Sequence, residues 1–330
     1  MIFYVGDIIS RNGPSNVDVE LLSSFDKRVY FHQSNKYTFS VKGLCSFMKS
    51  STVHISSVSM IGCLFLILGK IFRKKITFTM HGTLTIEKRF RNIAKYRLFF
   101  EYLLVNYSHK VVTVSNRLGK SVAKLYKIEP DRIKAIPNGV LPPLKTDIKQ
   151  NFKSNDIICI GGGRPEKRIL SVCNAVNKII KDENIKLNIK VFGEDGKDTE
   201  LIKKFDFVEY CGFVSHEQLL SELDDSLIFI QFSLYEPFCL SLFDAINSKC
   251  KIILSSEIGA IDYLTLNDSN SISIVREPDD LAHEIYSQIN SDSPSYSSYD
   301  KMGWSLVSEK YILLWESLQS DSSSDEHSDS

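Results

Sequence analysis

Residues 226–263 read SLIFIQFSLYEPFCLSLFDAINSKCKIILSSEIGAIDY. The run 226–232 is short and apolar, with the length and composition of a buried strand. Glu236 and Pro237 come next, and proline suits the first helical position because its missing N–H would have no partner there. From 238 to 248, Leu240, Phe243, Ala245 and Ile246 recur at helical spacing; 251–255 is a second buried strand, and 257–260 is a glycine-bearing turn into a further helix. This βαβ pattern predicts that the N–H groups of Phe238, Cys239 and Leu240 stand at a helix N-terminus on the carboxyl edge of a parallel sheet, a place that holds phosphate. Glu236 precedes the helix and Asp244 lies eight residues later. Their separation along a helix is on the order of 10 Å, the span of a nucleoside diphosphate from its ribose to the group beyond.

Toward the N-terminus, 156–160 is another buried strand, followed by Gly161-Gly162-Gly163-Arg164-Pro165-Glu166-Lys167-Arg168 and a helix over 169–180. Glycines let a backbone approach phosphate, and Arg164 and Lys167 neutralise its charge. No G-K-[ST] follows, so this is not a Walker loop. A strand over 189–192 ends in Gly193-Glu194-Asp195-Gly196, and one over 208–211 in Gly212-Phe213-Val214-Ser215, where Ser215 is a natural N-cap for a helix over 217–224. Beyond the opening stretch come a strand at 272–275, a helix around 279–289, a Ser-rich connection at 291–298 and an amphipathic helix at 302–318, whose stripe is Trp304, Val307, Tyr311 and Leu314.

The first half alternates in the same way. Residues 1–6 form a strand, Asn12-Gly13-Pro14 lies in the turn after it, and Gly13 is the residue there that lets backbone come close to a ligand. Strands at 29–32 and 53–55 flank a helix over 43–49, and 58–72 is an apolar stretch too short to span a bilayer, read as a buried helix. The strand 75–80 ends in His81-Gly82. Residues 85–107 form one long helix or a pair, with Arg89, Arg91 and Lys95 interleaved among aromatics, a candidate contact for anionic lipid head groups or a diphosphate-linked lipid. A strand at 110–114, a helix at 115–126 capped by Ser115, and a strand at 133–136 lead to Pro137-Asn138-Gly139-Val140.

Glu236-Pro-Phe-Cys-Leu-x-x-x-Asp244 resembles the E-x7-E signature of retaining family 4 glycosyltransferases. The glycine loop is similar to that family's G-R-x-x-P-E-K-G, 212–217 to its G-x-V-x-x-E, and 136–140 to the I-P-N-G-V at the end of its first domain. Cys239 stands where the family has Gly, and Asp244, one methylene shorter, where it has Glu. Aligned on Pro165-Glu166-Lys167, Gly162 takes the family's Arg position and Arg164 falls two places later. The resemblance implies an α/β, GT-B protein: two Rossmann-like doubly wound domains facing across a cleft. The expected divisions are 1–142, a linker 143–153, 154–300, a helix 301–318 packing back toward the first domain, and a disordered acidic Ser-rich tail 319–330.

It further implies a retaining transfer from a nucleotide-diphosphate sugar to a glycan or lipid-diphosphate-linked acceptor. Glu236 and His81 would contact the donor sugar; Arg164, Lys167, Phe238, Cys239, Leu240 and Gly13 the diphosphate; Asp244 the ribose; Phe213 and Val214 the base. No D-x-D triplet occurs, so no metal site and no cofactor are expected. A net charge of zero gives no electrostatic ground for nucleic-acid binding. Seven cysteines without a C-x-x-C pair fit a reducing cytoplasm, and the expected location is there, at the inner face of the plasma membrane, in bacterial O-antigen or capsule assembly. Two other classes stay open: a non-catalytic sugar-nucleotide-binding partner of another transferase, and a GT-B-fold epimerase of nucleotide sugars.

Overall fold

The computed structural model of the protein describes residues 1–7, 13–25, 31–35, 41–140, 154–264, 272–291 and 302–325. It divides into two compact units, Met1–Leu141 with Asp300–Ser330, and Pro142–Tyr299. The expected linker at 143–153, the connection at 292–298 and the tail end at 326–330 lie outside the described residues.

The first unit runs β1 (Ile2–Gly6), α1 (Gly13–Ser24), β2 (Phe31–Asn35), α2 (Val41–Lys49), β3 (Thr52–Ser56), α3 (Met60–Ile71), β4 (Lys75–Met80), α4 (Leu84–Glu87), α5 (Lys95–Tyr107), β5 (Lys110–Thr113), α6 (Asn116–Tyr126) and β6 (Ile133–Ala135). Its strands pair in parallel in the order β2-β1-β3-β4-β5-β6. β1 and β3 are buried along their whole length, as parallel strands covered on both faces must be. The strand order reverses between β1 and β3, which makes the carboxyl ends of these strands the switch point of the sheet.

Two helical stretches resolve further. The stretch 85–107 is a pair, because Glu101 on α5 is fully buried and accepts hydrogen bonds from Leu84 N at 2.6 Å, Thr85 N at 3.1 Å and Thr83 Oγ1 at 2.8 Å. That carboxylate satisfies the first donors of α4 and folds it back on α5. The stretch read as a buried helix is α3, started by Ser59, whose Oγ accepts from Gly62 N at 2.9 Å. Only its inner row is buried; Met60, Leu64, Ile67 and Ile71 form an outer row exposed by 38 to 68%.

The second unit contains β7 (Ser154–Ile160), α7 (Ile169–Glu183), β8 (Asn188–Phe192), α8 (Thr199–Ile202), β9 (Val208–Gly212), α9 (His216–Asp225), β10 (Ser226–Gln231), α10 (Ser241–Asn247), β11 (Lys251–Ser255), β12 (Ile272–Val275) and α11 (Leu281–Asn290). All its strand pairs are parallel, in the order β12-β11-β10-β7-β8-β9, so the switch point falls between β7 and β10.

The last helix, α12 (Trp304–Asp325), belongs to the first unit. Val307, Tyr311, Leu314 and Trp315 pack with Ile2, Tyr4, Leu21 and Leu22. Trp315 Nε1 donates to Thr77 Oγ1 at 3.2 Å, and Tyr311 Oη meets Thr79 Oγ1 at 3.2 Å. The helix continues to Asp325, so residues 319–325, expected in a disordered tail, are helical. Gly139 has its physical reason here. A Cβ on it would stand 2.1 Å from Trp304 Cδ2, while Val140 N donates to Met302 O at 2.9 Å.

Candidate functional site

The loops after β7 and β10 meet at the second switch point. Pro165–Lys167 form a 3₁₀ turn, and Leu234 N donates to Glu166 O at 2.7 Å, tying one loop to the other. The stem of Lys167 crosses the backbone of Gly161, where a Cβ would lie 2.4 Å from Lys167 Cγ and φ is +143°. The absent side chain at 161 therefore lets Lys167 Nζ reach the Glu236 carboxylate, with which it forms an ion pair. Lys167 and Glu236 are both largely buried, at 11% and 16% exposure. Gly162 serves a different end: at φ +60° its backbone lies against Glu194 O, so the glycine loop is packed on the 193–196 turn. Arg164 is held by its own loop, with Nε donating to Gly161 O at 3.0 Å and Nη1 at 4.0 Å from Glu166. Arg168, which the sequence did not single out, donates to Phe232 O at 2.7 Å and lies 3.7 Å over the Phe232 ring.

The predicted helix N-terminus at Phe238–Leu240 does not form. Helix α10 begins at Ser241, and Pro237 is not its first residue. Glu236 pairs instead with Ile258 in a parallel bridge, while Gly259 N donates to Glu236 O and Ala260 N to Phe238 O, both at 2.9 Å. These bonds draw 236–238 out as an extended segment before the helix can start. The chain then turns at Cys239, whose φ is +89°, a conformation that costs a side-chain-bearing residue and suits glycine. The Cys239 thiol is buried and pushed up to about 12 by that burial, with Glu236 adding to it.

Asp244 lies in the first turn of α10, with Oδ2 3.1 Å from Nε2 of His216, the first residue of α9. That hydrogen bond raises His216 above its ordinary value, against a smaller opposing effect of burial. Ser215 caps α9 in a full capping box with Gln218. Before it, Gly212 turns at φ +68° and Phe213 exposes 79% of its surface; Val214 is half-buried.

In the first unit His81 follows β4 and its Nε2 is 3.0 Å from Ser56 Oγ. Ser56 donates its own proton to Asp18 Oδ1 at 2.5 Å, so it accepts from His81, whose Nε2 therefore carries hydrogen. Asp18 is almost fully buried and also accepts from Tyr4 Oη and Asp7 N, both at 2.8 Å. Burial pushes Asp18 up, with His81 and these donors pulling the other way. This cluster occupies the carboxyl ends of β1, β3 and β4, and the sequence reading named His81 alone. Gly13 is the first residue of α1 rather than the middle of a turn, and 8–12 lie outside the described residues. Arg89, Arg91 and Lys95 are exposed, Arg91 paired with Glu87. Among the described residues no group of three or more His, Cys, Asp or Glu is gathered to hold a metal.

Two family models match the chain in turn: Glycosyltransferase Family 4 over residues 25–142 and Glycosyl transferases group 1 over 144–303. The chain is a member of the GT-B glycosyltransferases. An uncharacterized glycosyltransferase of Methanocaldococcus jannaschii is 24% identical over 242 residues, 65% of this chain and 62% of that protein, so the match spans less than two thirds of the relative's length. Among solved structures, the pneumococcal O-GlcNAc transferase GtfA, in complex with UDP and GlcNAc, superposes with a TM-score of 0.63 at 16% identity, covering 84% of this chain and 60% of that one. WaaG, a glycosyltransferase involved in lipopolysaccharide biosynthesis, gives 0.61 at 12% identity over 94% and 95%. Anabaena HepE with UDP and glucose gives 0.61 at 12% identity over 98% and 99%. These structures share the GT-B fold with the chain, two α/β units each built on a parallel sheet.

Proposed function

We propose that this GT-B protein transfers a sugar, with retention, from a nucleotide-diphosphate donor to a glycan or lipid-diphosphate acceptor. The observation that carries the reading is the Lys167–Glu236 pair at the switch point of the second sheet, where ligands of open α/β sheets bind. UDP in the GtfA and HepE structures supports a nucleotide donor. Without donor, Lys167 is neutralised by Glu236. On binding, the ammonium exchanges the carboxylate for diphosphate oxygens, and Glu236 is released to accept hydrogen bonds from sugar hydroxyls. Lys167, assisted by Arg164 once it leaves Gly161 O, stabilises the charge that grows on the departing diphosphate. Cations in this role replace a divalent ion, so the reading needs no metal. Phe213 and Val214 border the base, and Asp244 takes the ribose.

Calorimetric titration with UDP, GDP and their sugar conjugates, with and without chelator, tests this. One nucleotide should bind tightly and indifferently to chelator, and Lys167→Ala should weaken it by about 10- to 100-fold, the loss of a charge-assisted contact. Binding that vanishes with chelator would overturn the metal-free reading. A second reading, a sugar-nucleotide-binding partner without turnover, is favoured by one observation, the engagement of Arg164 by its own loop. Glu236→Ala separates them, abolishing turnover in a transferase and leaving a partner's role intact.

The acceptor side is proposed to rest on an anionic membrane, in the assembly of a bacterial surface polysaccharide. Between residues 60 and 100 the chain carries nine Lys or Arg and one acid, although its total charge is zero. The outer row of α3 and the exposed Tyr96, Phe99 and Tyr102 of α5 add apolar surface beside that charge. No helix among the described residues is long and apolar enough to cross a membrane. Reversing Arg89, Arg91 and Lys95 together should release the protein from phosphatidylglycerol vesicles in a sedimentation assay; undiminished pelleting would remove the membrane from the proposal.

A further inference from the structure

The pair formed by His216 and Asp244 belongs to the nucleotide reading above and carries it one step further. It joins two helices: His216 opens α9, fixed by the Ser215–Gln218 capping box, and Asp244 lies in the first turn of α10. Its 3.1 Å contact is open to solvent, with the imidazole 54% exposed and the carboxylate 24%. Ion pairs this exposed contribute little to folding, so stability gives no account of the arrangement. The side chain at 244 is shorter by one C–C bond than the glutamate of the E-x7-E pattern, about 1.5 Å of reach. A carboxylate offers two oxygens, and His216 engages only Oδ2. The same imidazole stands three residues after Phe213, the exposed ring on the loop that the turn at Gly212 presents.

We propose that His216 is a ribose-reading residue: its Nε2 holds Asp244 Oδ2, which orients Oδ1 to accept from a ribose hydroxyl, and its ring fills the space a glutamate would occupy. The ligand class is a ribonucleoside diphosphate, distinguished from its 2′-deoxy counterpart. His216 is thus a positioning residue that works through Asp244, and it compensates for the missing methylene.

The test is calorimetric titration of the full chain with UDP and 2′-deoxy-UDP, and with GDP and 2′-deoxy-GDP. It uses the unmodified protein, His216→Ala, Lys167→Ala and the double variant His216→Ala with Asp244→Glu. The ribonucleotide should bind at least about tenfold more tightly than its deoxy form, the scale of one hydrogen bond to a charged group. His216→Ala should remove that preference and leave deoxynucleotide affinity unchanged, and Asp244→Glu in the double variant should restore it. Lys167→Ala should weaken both nucleotides alike. A preference that survives His216→Ala, or a double variant that fails to recover it while Lys167→Ala still weakens binding, overturns the role of His216 and spares the donor site. Failure of every nucleotide to bind the unmodified protein overturns both.

Discussion

At the scale of single residues, Cys239 shows how a departure from a family pattern is tolerated. Its φ of +89° belongs to the region that glycine occupies freely, and the cysteine stays because its thiol is buried against Ser241, with Sγ to Oγ at 3.5 Å. Backbone strain and side-chain burial therefore oppose each other at one position. Replacing Cys239 by Ala keeps the strain and loses the sulfur contact, whereas Gly loses the contact and relieves the strain. The Gly variant should be the more stable of the two by about 1 kcal/mol, the reverse of the order seen in an ordinary helix. Thermal unfolding of the two variants decides it, and an Ala variant that melts higher would show that the turn is unstrained. Long-range partners are what the sequence could not announce at this scale. His216 and Asp244 are separated by 28 residues, Asp18 and Ser56 by 38. Neither pair has a local spacing that marks it, although Asp244 and Lys167 were legible from their motifs.

Among the elements, strands were the easiest to read because burial on both faces makes them continuous apolar runs. The strand 75–80 coincides with β4, and the caps at Ser115 and Ser215 sit where a hydroxyl before a helical run places them. Helix α10 was misplaced for a physical reason: Pro237 is favourable locally, but the bridge to Ile258 outweighs it. Long-range hydrogen bonds overrode a local preference. The packing of α12 on the first sheet rests on a similar non-local group. His54 is fully buried between Tyr4, Tyr311 and Trp315, hydrogen-bonds Thr77 Oγ1 at 2.7 Å, and is held at about 3 by burial, with His81 adding to the effect. A histidine whose folded value is lowered binds fewer protons folded than unfolded, so acid favours the unfolded side. Stability should fall by roughly 1.4 kcal/mol per pH unit from this one group between about 6.5 and 3. Tryptophan emission followed through a pH titration should report α12 loosening over that window, and His54→Gln should flatten the slope. An unchanged slope in that variant would assign the acid sensitivity to another group.

On the scale of the whole molecule, each sheet has a polar cluster at the point where strand order reverses: Lys167 and Glu236 in the second unit, His81, Ser56 and Asp18 in the first. The alternation of strands and helices made two doubly wound units legible from sequence, whereas the helical stretch at 319–325 was masked by its serine-rich composition. Because α12 supplies Val307, Tyr311, Leu314 and Trp315 to the first core, residues 1–141 produced alone should lack a cooperative thermal transition. Supplying 300–330 as a second chain should restore one; a sharp transition in the short fragment by itself would contradict this account. Trp304 resting on Gly139 closes the first unit with residues more than 160 positions downstream. During synthesis at roughly 5–20 residues per second, the amino-terminal sheet leaves the ribosome without the apolar stripe of α12 and waits, on the order of 10 s, for that helix. The second unit has all its strands in hand by then, so the half of the chain made later is the first to hold every element it needs.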